Sequence, residues 1–151
     1  MEKEFLEILR TLSQTVFVLS ANDEKERHAM TVSSVTSLSI KPPLMMVGVN
    51  KEASINNILE EDSNFCLNLL KSSQKGIADT CSGAEEGEER FKNDFWISNN
   101  PVYLKDAQSN IFCKVKEIIS YASHSIIVGE VKELIHSGKI EPLIYQNGKY
   151  I

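Results

Sequence analysis

The sequence lacks the features of membrane, secreted and zinc-binding proteins. No apolar run approaches the ~20 residues that a membrane-spanning helix needs, and the opening MEKEFLEILR is acidic and amphipathic, whereas a signal peptide is basic and then apolar. The three cysteines, Cys66, Cys81 and Cys113, are widely spaced and contain no CxxC pair, which argues against a disulfide framework and a zinc site. We therefore expect a cytoplasmic protein in which Cys66 and Cys113 are small buried residues.

Common catalytic and nucleotide-binding motifs are also missing. The chain has no GxSxG turn, no carboxylate pair and no cluster of metal ligands. It has no GxGxxG turn either, so no ribose-reading acidic residue indicates a preference between NADH and NADPH. The formal net charge of −5 opposes close approach to polyanions, which makes nucleic acid and acidic membrane surfaces poor partners.

The composition is that of an ordinary folded domain. At 151 residues with 42% hydrophobic content, the chain is long enough for one well-buried core and short for two. We see no internal repeat, low-complexity tract or linker. The sequence therefore predicts a single domain over residues 1–151.

The hydrophobic pattern predicts a mainly β protein. An amphipathic helix, MEKEFLEILRTL, is expected to cover a sheet, and a short helix with Ser54 as its N-cap is expected in KEASINNILEEDS. PLMMVGVN reads as a strand buried on both faces, and the region from Ser72 to Asn100 as short helices and loops. Further strands are expected in QTVFVLSA, NFCLNLL, IFCKVKEIISYA, SIIVGEVKELIHSG and PLIYQNGKYI. About six strands without a βαβ rhythm indicate an antiparallel β-barrel with peripheral α-helices.

The stretch HAMTVSSVTSLSIKPP, from His28 to Pro43, has the character of a strand but carries many hydroxyls. A buried hydroxyl without a partner costs ~1–3 kcal/mol, so these groups need backbone, water or a polar ligand to bond with. An exposed edge strand with bulges would explain the pattern as well as a ligand site does.

The following VNKEASINN has the groups that a phosphate monoester needs. Asn50 and Lys51 come directly after a predicted strand and precede Ser54 at a helix start, which supplies free N–H groups, an ammonium and a hydroxyl. A solvated turn is the simpler interpretation of this motif alone. Together with the hydroxyl-rich stretch, it indicates a ligand with a polar heterocycle and a phosphate.

These segments resemble the flavin reductase-like, FMN-binding split-barrel family, which includes the reductase components of two-component flavin monooxygenases. The resemblance is carried by HAMTVSSVTSLSIKPPLMMVGVNKEAS, ERF followed by Trp96, HSIIVGEV and PLIYQNGKY, in the family's order and spacing. It implies a mainly β, antiparallel split β-barrel in which the flavin is surrounded by Thr31, Ser33, Ser34, Val35, Thr36 and Ser37. It also implies that the phosphate end of FMN lies toward Asn50, Lys51 and Ser54.

The resemblance further implies the chemistry and the partners. His124 is expected near the flavin and the nicotinamide, and the activity to be NAD(P)H-dependent reduction of FMN by hydride transfer to flavin N5, with NADH or NADPH as donor. A homodimer and a monooxygenase or other electron acceptor are the implied partners.

A departure from the family pattern keeps other functions open. Ala122 and Ser123 stand where members commonly have Gly-Asp before the histidine, so an FMN-binding electron-transfer protein fed by a redox partner is one alternative. A non-redox flavin-binding or ligand-binding module is the other. We expect His28 and His136 at the surface, and Arg90 either near a phosphate or in a surface salt bridge.

Overall fold

The protein is built mainly of antiparallel strands, in a computed structural model that describes residues 1–151. Its two α-helices are α1 (Glu2–Arg10) and α2 (Lys75–Asp79). Short helical turns follow at Ser54–Asn57, Thr80–Ala84 and Gly87–Phe91. The strands are β1 (Gln14–Thr15), β2 (Phe17–Asn22), β3 (Arg27–Val32), β4 (Val35–Ile40), β5 (Pro43–Asn50), β6 (Asn64–Leu69), β7 (Trp96–Ile97), β8 (Tyr103–Leu104), β9 (Ser109–Tyr121), β10 (His124–His136), β11 (Ile144–Gln146) and β12 (Lys149–Tyr150).

Seven strands form one antiparallel sheet in the order β3-β2-β6-β9-β10-β5-β4. The hydroxyl-rich stretch is therefore two strands, β3 and β4, which are the two edges of the sheet and are joined by only Ser33 and Ser34. Ser34 holds this connection to β5, because Gly48 N donates to Ser34 O at 2.9 Å and Ser34 Oγ donates to Gly48 O at 2.6 Å. The predicted mainly β, antiparallel split-barrel fold is confirmed.

Strand β2 separates two hydrophobic cores. Phe17 and Leu19 face the core enclosed by the curled sheet, whereas Val16 and Val18 face a second core on the other side. The second core is covered by α2 and by the segment that follows it, through residues such as Ile77. Burying an aliphatic or aromatic side chain of this size contributes roughly 1.5–3 kcal/mol, so both faces of β2 stabilise the fold.

The prediction that PLMMVGVN is buried on both faces is wrong. In β5, Val47 and Val49 are buried in the enclosed core, but Met46 and Gly48 are only half-buried and Asn50 is exposed. The reason is that no helix covers the outer face of β5. Strands β2 and β6 are buried on both faces instead, and the sequence showed β2 only as a short β-branched run.

Asn68 on β6 is the centre of a buried polar network. Its Nδ2 donates to Val18 O at 2.8 Å and to Ser20 Oγ at 2.9 Å. Its Oδ1 accepts from Leu104 N at 2.9 Å and from Asn110 Nδ2 at 2.8 Å. A buried amide with all its groups bonded fixes the relative position of the elements it joins, here β2, β6, β8 and β9.

Helix α1 forms where it was predicted but does not cover the sheet, which corrects that expectation. None of its residues is buried, and Phe5, Leu6 and Ile8 are more than half exposed. The second core is already covered by α2 and the C-terminal hairpin, so α1 does not pack on that side of the sheet. Its end contacts that hairpin, where Asn147 N donates to Arg10 O at 2.8 Å. No helix in the structure has the length and apolar character required to cross a bilayer.

Gly129 on β10 is a position where the fold requires the absence of a side chain. A Cβ there would lie 2.8 Å from Phe65 Cε1 and 2.9 Å from Cys113 Cβ, closer than real carbon contacts. Gly129→Ala is therefore expected to lower the free energy of unfolding by about 2–3 kcal/mol, measured by urea denaturation.

The control for this substitution is Gly76→Ala in α2, where a Cβ meets nothing within 4 Å and alanine is the better helix former. Gly76→Ala should leave stability unchanged or raise it. Because the clash is with Phe65, the double variant Gly129→Ala, Phe65→Leu should lose less stability than the sum of the single variants. Additive losses would contradict the assigned contact.

Candidate functional site

The structure distributes the predicted site residues over neighbouring regions and does not gather them in one cavity. Asn50, Lys51 and His124 lie together at the ends of β5 and β10. Ser54 lies in a separate cleft with His28. A groove of about 530 Å³ is lined by four of the others, Ser33, Val35, Thr36 and Ser37. Ser34 lies beside Gly48, and Thr31 faces α2.

An outer sheet surface, which we call the His124 face, is formed by residues in cross-strand register. His124 is opposite Asn50 on β5 and Tyr121 on β9, and Ile126 is opposite Gly48 and Ile119. Directly opposed residues point to the same side of a sheet, so these side chains share one surface. It presents apolar groups beside an imidazole and an amide, and none of the helices covers it.

The turn before His124 keeps its hairpin geometry despite the departure from the family pattern. Ala122 has φ +51°, in the left-handed region that glycine adopts freely and that costs other residues roughly 1–2 kcal/mol. Ser123 O accepts the backbone N–H of Lys51 at 3.0 Å, and Ser123 Oγ lies 2.8 Å from His124 Nδ1. Lys51 and His124 are thereby held at the same corner of the sheet.

Most hydroxyls of the β3–β4 stretch already bond to the protein. Thr31 Oγ1 donates to Ala78 O at 2.7 Å, and Ser33 Oγ donates to Gln14 Oε1 at 3.4 Å. Thr36 Oγ1 reaches the carbonyl of Ser37 at 3.3 Å. These bonds are part of what stabilises the crossing from one sheet edge to the other, so the hydroxyls have a structural role whatever else they bind.

The His28 cleft, defined by Ser54, His28 and Arg90, corrects two expectations from the sequence. Its volume is about 530 Å³, and Glu52, Glu85 and Glu86 also line it. Ser54 begins a 3-10 helix and makes no capping hydrogen bond; its Oγ instead lies 3.2 Å from His28 Nδ1. His28 is buried at 8% exposure, so the prediction that it is a surface residue is wrong, whereas His136 is exposed as expected.

Arg90 is a buried cation without a carboxylate partner. It is 7% exposed, and none of the ion pairs in the structure involves it. Glu88 pairs with Arg27 instead, whose Nε donates to Glu88 Oε1 at 2.8 Å. The expected alternative of a surface salt bridge for Arg90 is therefore wrong. Burial lowers the pKa of Arg90 from its ordinary value, which reflects the cost of an uncompensated charge.

Three protein acceptors hold the Arg90 guanidinium in place. Its Nε donates to Gly87 O at 2.8 Å, its Nη1 to Ala29 O at 2.7 Å and its Nη2 to His28 Nδ1 at 3.1 Å. A guanidinium has five N–H groups, so two remain for another acceptor. The neighbouring Cys81 cannot supply an anion, because burial raises the pKa of its thiol to about 11.

The contact with Arg90 determines which nitrogen of the His28 ring accepts a hydrogen bond. Arginine only donates, so Nδ1 of His28 accepts and the ring proton is on Nε2. Nε2 lies 3.2 Å from Glu26 Oε1, but the contact does not meet hydrogen-bond geometry. Arg90 therefore satisfies Nδ1 by itself, and the hydroxyl of Ser54 is free to rotate toward a ligand.

Only weak signals in the sequence point to Arg90 and His28. Four glutamates surround Arg90 in the chain, which suggests a solvated ion pair, and a lone histidine in a hydroxyl-rich strand carries no motif. Their pairing depends on β3 lying beside the Gly87–Phe91 turn, a contact between residues more than 60 positions apart.

Comparison with known proteins identifies relatives along nearly the whole chain. The flavin reductase like domain matches residues 9–151. The chain is 32% identical, over 98% of its length and 85% of the relative's, to the reductase component of the FADH(2)-dependent resorcinol hydroxylase of Rhizobium sp. (strain MTP-10005). It is 26% identical, over 97% of its length and 83% of the relative's, to the FMN reductase (NADH) RutF of Pseudomonas syringae pv. syringae (strain B728a).

A solved structure agrees with these sequence matches. The flavin reductase HpaC complexed with NADP+ superposes with a TM-score of 0.90 at 26% identity, covering 100% of this chain and 97% of the other. The family match, the relatives and the fold all agree over the same residues. The chain therefore belongs to the flavin reductase-like domain family.

Proposed function

We propose that this protein is an NAD(P)H-dependent flavin reductase, which transfers hydride from a nicotinamide nucleotide to N5 of FMN. The observation that carries the proposal is family membership over residues 9–151 together with relatives that are themselves named flavin reductases. The proposal treats residues 1–151 as one flavin-binding domain.

In this proposal the flavin ring lies along the β3–β4 stretch and the His124 face. Ser37, whose hydroxyl makes no hydrogen bond within the protein, lies opposite Met45 and lines the groove on the other side of the sheet. On the His124 face, support comes from the apolar surface of Met46 and Ile126 beside Asn50 and His124, with Thr36 opposite Met46. A planar heterocycle needs such a combination of apolar area and a few polar groups. The other proposed ring contacts are Thr31, Ser33, Ser34, Val35 and Thr36.

The phosphate of FMN, in this proposal, is bound near Ser54 with Asn50 and Lys51 close by. The feature that fits a phosphate is Arg90, which lies buried in the same cleft as Ser54 with two N–H groups uncommitted. A charge-assisted hydrogen bond from a guanidinium to phosphate is among the strongest that proteins make. Of the two expectations for Arg90 from the sequence, the proposal therefore adopts the position near a phosphate.

The reaction makes modest demands on the protein's own side chains. The flavin supplies the electron-accepting ring when bound, and hydride transfer requires no protein acid. The sheet surface orients the two rings and excludes water between them. His124, held at the corner by Ser123, donates a hydrogen bond at the nicotinamide side or takes part in proton transfer.

The partners of this activity follow from the same proposal. We infer that the protein is cytoplasmic and forms a homodimer. The dimer is inferred because α1 exposes Phe5, Leu6 and Ile8 and the His124 face exposes Tyr121. A monomer by light scattering at micromolar concentration would contradict the dimer. The acceptor of the reduced flavin is inferred to be a monooxygenase or another redox protein, because one relative is the reductase component of a hydroxylase.

An anaerobic titration tests the activity. Purified protein is first mixed with FMN. NADH is then added, followed by NADPH, while the absorption band of the flavin is recorded. Rapid bleaching by either nucleotide is expected and gives the coenzyme preference. A bound flavin that neither nucleotide bleaches would contradict the reductase and favour the electron-transfer alternative.

The same titration tests His124. His124→Ala removes one polar contact at the nicotinamide side, so the rate of bleaching should fall about tenfold while the affinity for FMN stays the same. His136→Ala is the matched control, since His136 is exposed and distant along the same strand. Equal rates for His124→Ala and the native protein would remove His124 from the mechanism.

The phosphate assignment is tested by comparing FMN with riboflavin, which lacks the phosphate. Lys51→Ala and Ser54→Ala should each weaken FMN binding at least about tenfold, measured by calorimetry, and leave riboflavin binding unchanged. Urea unfolding should show that both variants remain folded. If the variants lost affinity for FMN and riboflavin equally, Lys51 and Ser54 would not be contacts of the phosphate.

A further inference from the structure

A second cavity lies on the other side of Arg90 from the His28 cleft. Its volume is about 330 Å³, at the lower end of the ~300–1,000 Å³ typical of small-molecule sites. We call it the Trp96 cavity; it is defined by Gln74, Cys81, Arg90, Phe95, Trp96 and Lys105. Cys81 and Arg90 line both cavities, so they form the wall between them.

The aromatic side of the Trp96 cavity is held in a fixed orientation. The indole N–H of Trp96 donates to Arg90 O at 3.1 Å, and its ring packs on Phe91 with centroids 4.8 Å apart. Phe95 is adjacent and 45% exposed, so part of its ring is available to a ligand. A flat apolar ligand would cover Phe95 and gain its hydrophobic stabilisation.

The charged side of the cavity favours an anion. Lys105 takes part in none of the ion pairs, and its backbone N donates to Phe95 O at 2.9 Å, which places it across the hairpin from Phe95. Arg90 adds a buried guanidinium with uncommitted N–H groups. Asp106 is the one carboxylate that lines the cavity, against these two cations.

We propose that the Trp96 cavity binds a small aromatic carboxylate, and that this ligand and the phosphate of FMN weaken each other's binding through their shared neighbour Arg90. The aromatic ring packs against Phe95 and Trp96, and the carboxylate faces Lys105. Two anions on opposite sides of one guanidinium repel each other and compete for its N–H groups, which gives the coupling its negative sign. The coupling is reciprocal, as linkage requires. The binding part stands by itself, whereas the coupling part rests on the proposed function.

Binding is tested with benzoate as the probe and with the fluorescence of Trp96, the only tryptophan in the chain. We expect a saturable change in fluorescence, with affinity about tenfold weaker in Lys105→Ala and unchanged in Lys149→Ala, an exposed lysine elsewhere on the surface. Benzamide, which has the same ring without the charge, should bind at least about tenfold more weakly. No saturable change, or equal affinity for benzamide and benzoate, would overturn the proposal.

Two further measurements distinguish this site from the reductase's own nucleotide site and test the coupling. Displacement of benzoate by NADH without flavin would overturn the proposal, because the cavity would then belong to the nicotinamide nucleotide. Saturating benzoate should weaken FMN binding about fivefold or more and leave riboflavin binding unchanged, by calorimetry. An equal effect on both flavins, or none on FMN, would overturn the coupling. Failure of FMN to bind without benzoate would instead count against the proposed function, since the benzoate titration is independent of flavin.

Discussion

The pair of hydrogen bonds between Ser34 and Gly48 is the constraint on which the rest of the structure depends. The chain must pass from one edge strand of the sheet to the other in two residues, and this pairing attaches the crossing to β5. The crossing joins β3 and β4, which are the two edge strands of the seven-stranded sheet. Ser33 lies in this crossing and lines a groove with Val35, Thr36 and Ser37, which are four of the residues proposed to bind flavin.

The same constraint explains why hydroxyls are so frequent here. At a break between strands, backbone groups lose their ladder partners, and short hydroxyl side chains replace them. Thr31, Ser33 and Ser34 each bond to a protein acceptor. Ligand site and edge strand are therefore not exclusive interpretations, since the stretch forms two edge strands whose hydroxyls stabilise the fold and line the proposed flavin groove.

The sequence was sufficient for the fold class and for most strands, because alternation and β-branched runs are local signals. The sequence was not sufficient where the burial of an element or side chain depended on contacts with residues far away in the chain. Whether PLMMVGVN or the shorter β2 would be covered on both faces depended on where α2 and the following segment pack. The hydrophobic periodicity correctly predicted that α1 is a helix, but it could not show which surface the apolar side of that helix contacts. Ser54 looked like a helix cap, yet its hydroxyl faces His28, 26 positions earlier.

Arg90 shows most clearly how burial decides function where counting charges does not. Glu52, Glu85 and Glu86 line the His28 cleft with a single arginine, so a sum of charges would predict a cleft that repels phosphate. All three glutamates are exposed to water, whereas Arg90 is 7% exposed. A pair of unit charges 4 Å apart interacts by about 1 kcal/mol in bulk water and about 4 kcal/mol at the lower effective dielectric constant of a protein site, so the buried cation outweighs each solvated anion at short range. The cavity on the other side of the guanidinium experiences the same charge. One buried residue therefore attracts anions from two directions, which is the physical basis for expecting the two sites to influence each other.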